Sequence, residues 1–125
     1  SPAVFGLGLL QSISDADILQ QADPDDADGD GISGRPNYVW NEETQQKTLG
    51  RFGWKANEPS LKQQIAGAFN GDIGLTTPLL ANNSCSEAQT DCQDAATLGD
   101  PLDVNAAFFD KITTYLSLLA VPAIH

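Results

Sequence analysis

Asp100-Pro101-Leu102-Asp103-Val104-Asn105-Ala106-Ala107-Phe108-Phe109-Asp110-Lys111-Ile112-Thr113-Thr114-Tyr115-Leu116-Ser117-Leu118-Leu119-Ala120-Val121-Pro122 is the stretch on which the fold class turns. Val104, Phe108, Ile112, Tyr115 and Leu119 recur at intervals of four, four, three and four, an apolar stripe of helical period. Asp100 can cap such a helix, Pro101 suits its first position, and Asp103 suits the positive end of its dipole. Pro122 is the stop.

Working back along the chain, a second helix is predicted from Ser60, with Gln63 completing a capping box. Leu61, Ile65, Ala68 and Phe69 form its apolar face, and Asn70-Gly71 is the expected end. A third begins at Ser14, has Asp15 and Asp17 in its first turn, and ends by Asp23-Pro24. Asn37-Tyr38-Val39-Trp40, a polar run from Asn41 to Lys47, and Leu49-Gly50-Arg51-Phe52-Gly53-Trp54 read as a hairpin with aromatic strands. Residues 71–100 have little period and many turn formers. They read as an ordered loop, and a loop that long needs a staple or a function. Cys85 and Cys92, the only cysteines, lie in its polar sequence and predict one local disulfide. Closing so short a loop contributes roughly 2–3 kcal/mol. The expected fold is therefore mainly α, with a small β-hairpin and a long disulfide-closed loop, over residues 1–125 as one domain or segment.

Composition narrows the function. The chain has 125 residues, a net charge of −11 and 41% hydrophobic residues, which is the make-up of a folded acidic domain. Such a surface repels phosphate backbones and anionic leaflets, so neither nucleic acid nor membrane insertion is expected; cations are the favoured partners. No apolar run approaches the roughly 20 residues of a bilayer span. The absence of Met and the apolar runs at both ends suggest a processed product or a piece of something longer.

The segment Asp23-Pro24-Asp25-Asp26-Ala27-Asp28-Gly29-Asp30-Gly31-Ile32-Ser33-Gly34-Arg35 gathers five aspartates within eight residues. Two carboxylates about 6 Å apart repel by roughly 0.7 kcal/mol even in water. Five together must be well solvated or hold a cation. Asp26, Asp28 and Asp30 alternate as in a calcium loop, Gly31 permits the sharp turn, and Ile32 would offer its carbonyl. The twelfth position of such a loop is Asn37 rather than Glu, so another residue must complete the shell, with Asp23 or Asp25 as candidates. Magnesium suits this set less well, because it keeps its waters. The competing reading is a solvated acidic turn.

Other constellations are weaker. His125 is the only histidine and lies at the terminus, which disfavours a catalytic triad, and zinc lacks ligands. Glu42, Glu43 and Glu58 could be paired for hydrolysis, but without an aromatic-lined cleft a solvated face accounts for them better. Asn82-Asn83-Ser84 matches a common glycosylation pattern. Arg51-Phe52-Gly53-Trp54-Lys55 stands out because cations are scarce. It reads either as core aromatics with cations paired to local carboxylates, or as a contact with a cofactor or partner made by Arg51, Trp54 and Lys55.

Six strings follow one another in a familiar order: Gly6-Leu7-Gly8-Leu9-Leu10; Ala22-Asp23-Pro24; Asp28-Gly29-Asp30-Gly31-Ile32-Ser33-Gly34-Arg35; Leu49-Gly50-Arg51-Phe52-Gly53-Trp54-Lys55-Ala56; Gln64-Ile65-Ala66-Gly67-Ala68-Phe69-Asn70-Gly71-Asp72-Ile73-Gly74-Leu75-Thr76-Thr77-Pro78; and Leu119-Ala120-Val121-Pro122. Together they resemble the di-haem oxidoreductases, often labelled "thiol" oxidoreductases, which are similar to di-haem cytochrome c peroxidases. The resemblance implies a periplasmic or secreted redox protein with a cytochrome c-like parent fold and two covalently held c-type haems. In such proteins the Cys-x-x-Cys-His motifs lie before and after the matching region. This chain has neither, so the resemblance implies an inter-haem segment, itself non-catalytic, whose partners are the haem domains of its parent. It also makes Trp54 the candidate electron relay. A reading of another class is a secreted, non-catalytic, calcium-stabilised binding module. A parent reading frame with haem motifs on either side separates the two.

Overall fold

The computed structural model describes residues 3–96 and 102–123. The proposed cap Asp100, its neighbour Pro101 and the terminal His125 lie outside the described residues. The elements run α1 (Leu7–Ser12), α2 (Asp15–Gln20), β1 (Tyr38–Asn41), β2 (Gln46–Leu49), α3 (Leu61–Ile73), α4 (Thr90–Ala96) and α5 (Ala106–Leu118). A mainly helical chain with one antiparallel hairpin and a Cys85–Cys92 disulfide is thus what forms.

Helix α3 starts where expected, because the Ser60 hydroxyl accepts a hydrogen bond from the Gln63 N–H. The Gln63 side chain does not close the box onto Ser60. Its amide bridges to the hairpin instead, donating to the Trp40 carbonyl at 3.0 Å and accepting from the Glu42 N–H at 2.9 Å. The expected stop at Asn70-Gly71 is also corrected. The helix runs on to Ile73 and ends at Gly74, whose φ of 70° supplies the left-handed cap. On its apolar face Leu61 and Ile65 are buried as expected, whereas Ala68 is exposed and Ala66, on the flank, is fully buried. Ala68 stays open because it faces the two recesses described below.

Helix α5 is real, but it starts at Ala106, with Asn105 as its cap. The Asn105 side chain accepts from the Phe108 N–H at 3.0 Å. Asp103 lies outside the helix and clamps the long loop. Its carboxylate accepts from both the Thr76 N–H and the Thr76 hydroxyl, and the Val104 N–H donates to the Thr76 carbonyl. The two bonds from Thr76, backbone first, hold the Asp103 carboxyl below the usual aspartate range. Of the expected apolar stripe Val104 is buried and Ile112 and Leu119 are half-buried, but Phe108 and Tyr115 give way to their neighbours Phe109 and Leu116. Phe109 is 1% exposed, with Ile112 and Leu116 half-buried behind it, while Phe108 and Tyr115 are 54% and 63% exposed. Helical structure ends at Leu118, ahead of Pro122.

The core is Phe52, Leu61, Ile65, Ala66, Val104 and Phe109. Helix α1, unforeseen in the sequence, closes it on one side. It is too short to be stable alone. It is held by the Gly6 N–H donating to the Leu119 carbonyl at 2.8 Å and by a close crossing on α5, where any side chain at Gly8 would strike the Ser117 carbonyl. The long loop also contains a helix that turn-rich sequence concealed: α4 carries Cys92 and has only Asp91 to mark its first turn.

The hairpin pairs Tyr38 with Leu49, Val39 with Thr48, Trp40 with Lys47 and Asn41 with Gln46. Its second strand is therefore Gln46–Leu49, and the aromatic run after Gly50 is a turn rather than a strand. In that turn the Arg51 and Phe52 N–H groups both donate to the Glu58 carbonyl, and Glu58 returns a bond to the Phe52 carbonyl. Gly53 (φ 80°) and Ala56 (φ 48°) make the reversal possible. Gly50 is required too, since a Cβ there would collide with the Ala56 carbonyl.

Candidate functional site

The chain presents three features with chemistry: an aspartate loop, an apolar recess and a polar recess, the two recesses meeting along α3. The aspartate loop is closed at its base by the Asp23 N–H, which donates to the Gly34 carbonyl at 2.9 Å, and by Arg35, which donates to the Pro24 carbonyl at 2.8 Å. Backbone N–H groups then aim the carboxylates. Asp23 accepts from Ala27 (2.9 Å) and Asp28 (3.4 Å), Asp26 from Gly31 (3.1 Å), and Asp28 from Asp30 (3.1 Å). Asp26, Gly29 and Gly31 all take positive φ to allow this winding.

As a result, one carboxylate oxygen from each of Asp23, Asp26 and Asp28 lies within 4.8 Å of the other two. Oxygens bound to one calcium at about 2.4 Å can be no more than about 4.8 Å apart, so the trio has the spacing of a shared shell. Of the four residues read from sequence, the structure brings Asp26 and Asp28 together and recruits Asp23, one of the two residues considered for completing the shell. Asp30 instead accepts from the Ile32 N–H at 2.8 Å and stands outside the trio.

The apolar recess has a volume of about 490 Å³ and lies between α1, α3 and α5, with Phe52 and Arg51 on its wall. Arg51 is turned away from solvent, its side chain 10% exposed. Its guanidinium donates to the carbonyls of Leu10 (3.4 Å), Gln11 (3.2 Å) and Ile13 (2.6 Å) and pairs with Asp15. It thus covers the carbonyl end of α1, where a cation is electrostatically favoured. For Arg51 and Phe52 the structure matches the alternative of a core aromatic beside a cation paired to a local carboxylate.

The polar recess, about 480 Å³, lies between the 53–58 turn and α3, and here Trp54 and Lys55 meet Asn57, Glu58, Gln64 and Asp72. Gly53, Gln64, Ala68 and Asp72 border both recesses. Arg51 is therefore separated from Trp54 and Lys55 by the turn. Trp54 is 79% exposed. Burial pushes the Glu58 carboxyl above its usual range, a hydrogen bond from Gln63 works against this, and the charge of Glu42 adds to it. Sequence reading placed Glu58 on a solvated face. Its half-burial depends on the turn folding back onto α3, which no local pattern announces.

Covalent c-type haem needs two free cysteines beside an axial histidine. Here Cys85 and Cys92 are bonded to each other, Met is absent, and the one histidine is terminal. The chain's own residues therefore do not fit a haem attachment site, and no chemistry is assigned to them through one. Among the described residues, no helix is long and apolar enough to cross a membrane.

Comparison with curated proteins gives no match, and neither does comparison with solved structures. A family model described as "Di-haem oxidoreductase, putative peroxidase" matches residues 1–125, the whole chain. The chain belongs to that di-haem oxidoreductase family.

Proposed function

We propose that this chain is the segment connecting the two haem domains of an exported, cytochrome c-like di-haem oxidoreductase with peroxidase-like electron transfer, and that its aspartate loop holds one calcium ion. The observation that carries the reading is family membership across all 125 residues in a chain whose own donors cannot attach haem. It favours this reading over a free-standing binding module. The disulfide supports a periplasmic or secreted location. The partners are the haem domains of the same parent, with no role for nucleic acid or membrane insertion, and the haem c belongs to those domains.

Within this segment Trp54 and Lys55 face the cofactor side, whereas Arg51, across the turn, holds the end of α1. Trp54, whose indole is largely exposed, is the relay residue. Trp54→Phe in the full-length protein is expected to slow electron transfer between the haem domains at least tenfold while leaving the thermal midpoint unchanged. A rate equal to wild type removes Trp54 from the path.

Calcium adds rigidity to the 23–34 loop. Calcium at one hundred times its dissociation constant adds roughly 2.7 kcal/mol of stability. For a domain of this size the thermal midpoint should rise by several degrees. Magnesium should do less, and Asp26→Asn with Asp28→Asn should abolish the rise. Equal midpoints with calcium and with chelator would make the loop a solvated acidic turn.

A further inference from the structure

Among the described residues, two buried side-chain oxygens have no hydrogen-bond donor: Glu58 Oε2 and Gln64 Oε1. Both residues border the polar recess. An unpaired buried acceptor is costly, and two on residues that line one recess are satisfied most simply by a donor entering that recess as the side chains adjust. The charges around them select its sign. Asp72 borders the same recess, and Glu42 adds its field at Glu58. Lys55, the one cation on the wall, makes no ion pair with either Glu58 or Asp72, and Lys62 on α3 is committed to Glu43 at 3.1 Å.

We propose that the recess between the 53–58 turn and α3 is a binding site for an alkylammonium group, with Glu58 and Asp72 as its counter-ions and the Gln64 carbonyl oxygen as a third acceptor. An ammonium carries three N–H donors and no acceptor, which matches the unpaired Glu58 and Gln64 oxygens. Its alkyl stem would lie toward Ala68, where the polar recess adjoins the apolar one. The Trp54 indole on the wall offers a face to the same cation. The net charge of −11 draws such ligands in. The group can come from a lysine on a partner protein or from a free amine; the chemistry at the site is the same. This goes beyond the di-haem reading and requires none of its haem groups.

Binding also has a proton signature. Burial raises the pKa of Glu58 and an ammonium opposes that shift, so over the pH range where free Glu58 is partly protonated, proton release to buffer accompanies binding. The test is calorimetric titration of the intact protein, in a pH series from about 4.5 to about 6.5, with n-butylammonium chloride and with an end-blocked Gly-Lys-Gly peptide. Each is run in acetate and in MES, whose ionisation heats differ. The expected result is saturable binding of at least one probe, with buffer-dependent heat. Glu58→Gln should weaken binding at least tenfold and abolish the buffer dependence. Asp72 is exposed, so Asp72→Asn should fold normally and weaken binding several-fold. Preference for the peptide assigns the site to a protein lysine, and preference for butylammonium to a free amine. Binding of neither probe overturns the proposal. So does equal binding by both variants, or equal heat from uncharged n-butanol.

Discussion

Phe109→Ala should come close to unfolding this protein, whereas Phe108→Ala should scarcely be noticed. Phe109 is 1% exposed and sits in the one core cluster with Phe52, Leu61 and Val104. Emptying such a site typically costs about 3–5 kcal/mol, from lost transfer free energy plus the cavity left behind. Domains of this size have only about 5–15 kcal/mol in total, so most of the margin would go, with a fall in thermal midpoint of roughly 10–20 °C. At Phe108 the side chain is more than half exposed, and alanine is the better helix former by a few tenths of a kcal/mol, so a change within about 1 kcal/mol is expected. Thermal unfolding of the two variants side by side measures the phase of α5 directly. Equal losses would mean that the helix is rotated from the arrangement described.

That pair of residues also shows where sequence reading stops. A run of two phenylalanines followed by Ile112, Tyr115, Leu116 and Leu119 fits a helix in more than one phase. Including Val104 in the helical repeat selected the wrong one. Val104 is buried, but it belongs to the extended segment that Thr76 and Asp103 staple ahead of the helix, and a bond between residues 27 apart has no local signature. The existence of α3 and α5 was legible because apolar period and capping residues agree there. The N-cap of α2 was legible for the same reason, Ser14 accepting from the Asp17 N–H at 3.2 Å. Helix α1 was not legible, because it exists by virtue of partners far along the chain: Arg51 at its carbonyl end and Ser117 across Gly8. Likewise the aspartate string suggests a cation loop, but it does not say which carboxylates converge: with the loop closed by the Asp23–Gly34 bridge, the converging trio is Asp23, Asp26 and Asp28, without Asp30.

Arg51→Met should lower stability by about 3 kcal/mol, and this substitution separates the two roles open to Arg51. Methionine is apolar and of similar reach, so it can keep the wall of the apolar recess that Arg51 helps form. What it cannot do is bond the carbonyls of Leu10, Gln11 and Ile13, which would be left at the end of α1 without their shared donor. Losing a charged donor to several carbonyls costs about 1.5–3 kcal/mol, and the favourable charge at the end of the helix adds about 0.3–1 kcal/mol. The ion pair is the smaller part: Asp15 is 64% exposed and its charge well screened, so Asp15→Asn should cost under about 1 kcal/mol. Arg51→Lys should fall between, because an ammonium keeps the charge but cannot spread a planar fork across three carbonyls and a carboxylate. The order Met, Lys, then Asn at position 15, from most to least destabilising, is the result expected in urea unfolding. If Arg51→Met instead left the midpoint unchanged and altered only the redox behaviour of the full-length protein, its guanidinium would belong to the cofactor side and α1 would need another anchor. Stability loss together with unchanged redox behaviour would make Arg51 the structural anchor of α1 and nothing more.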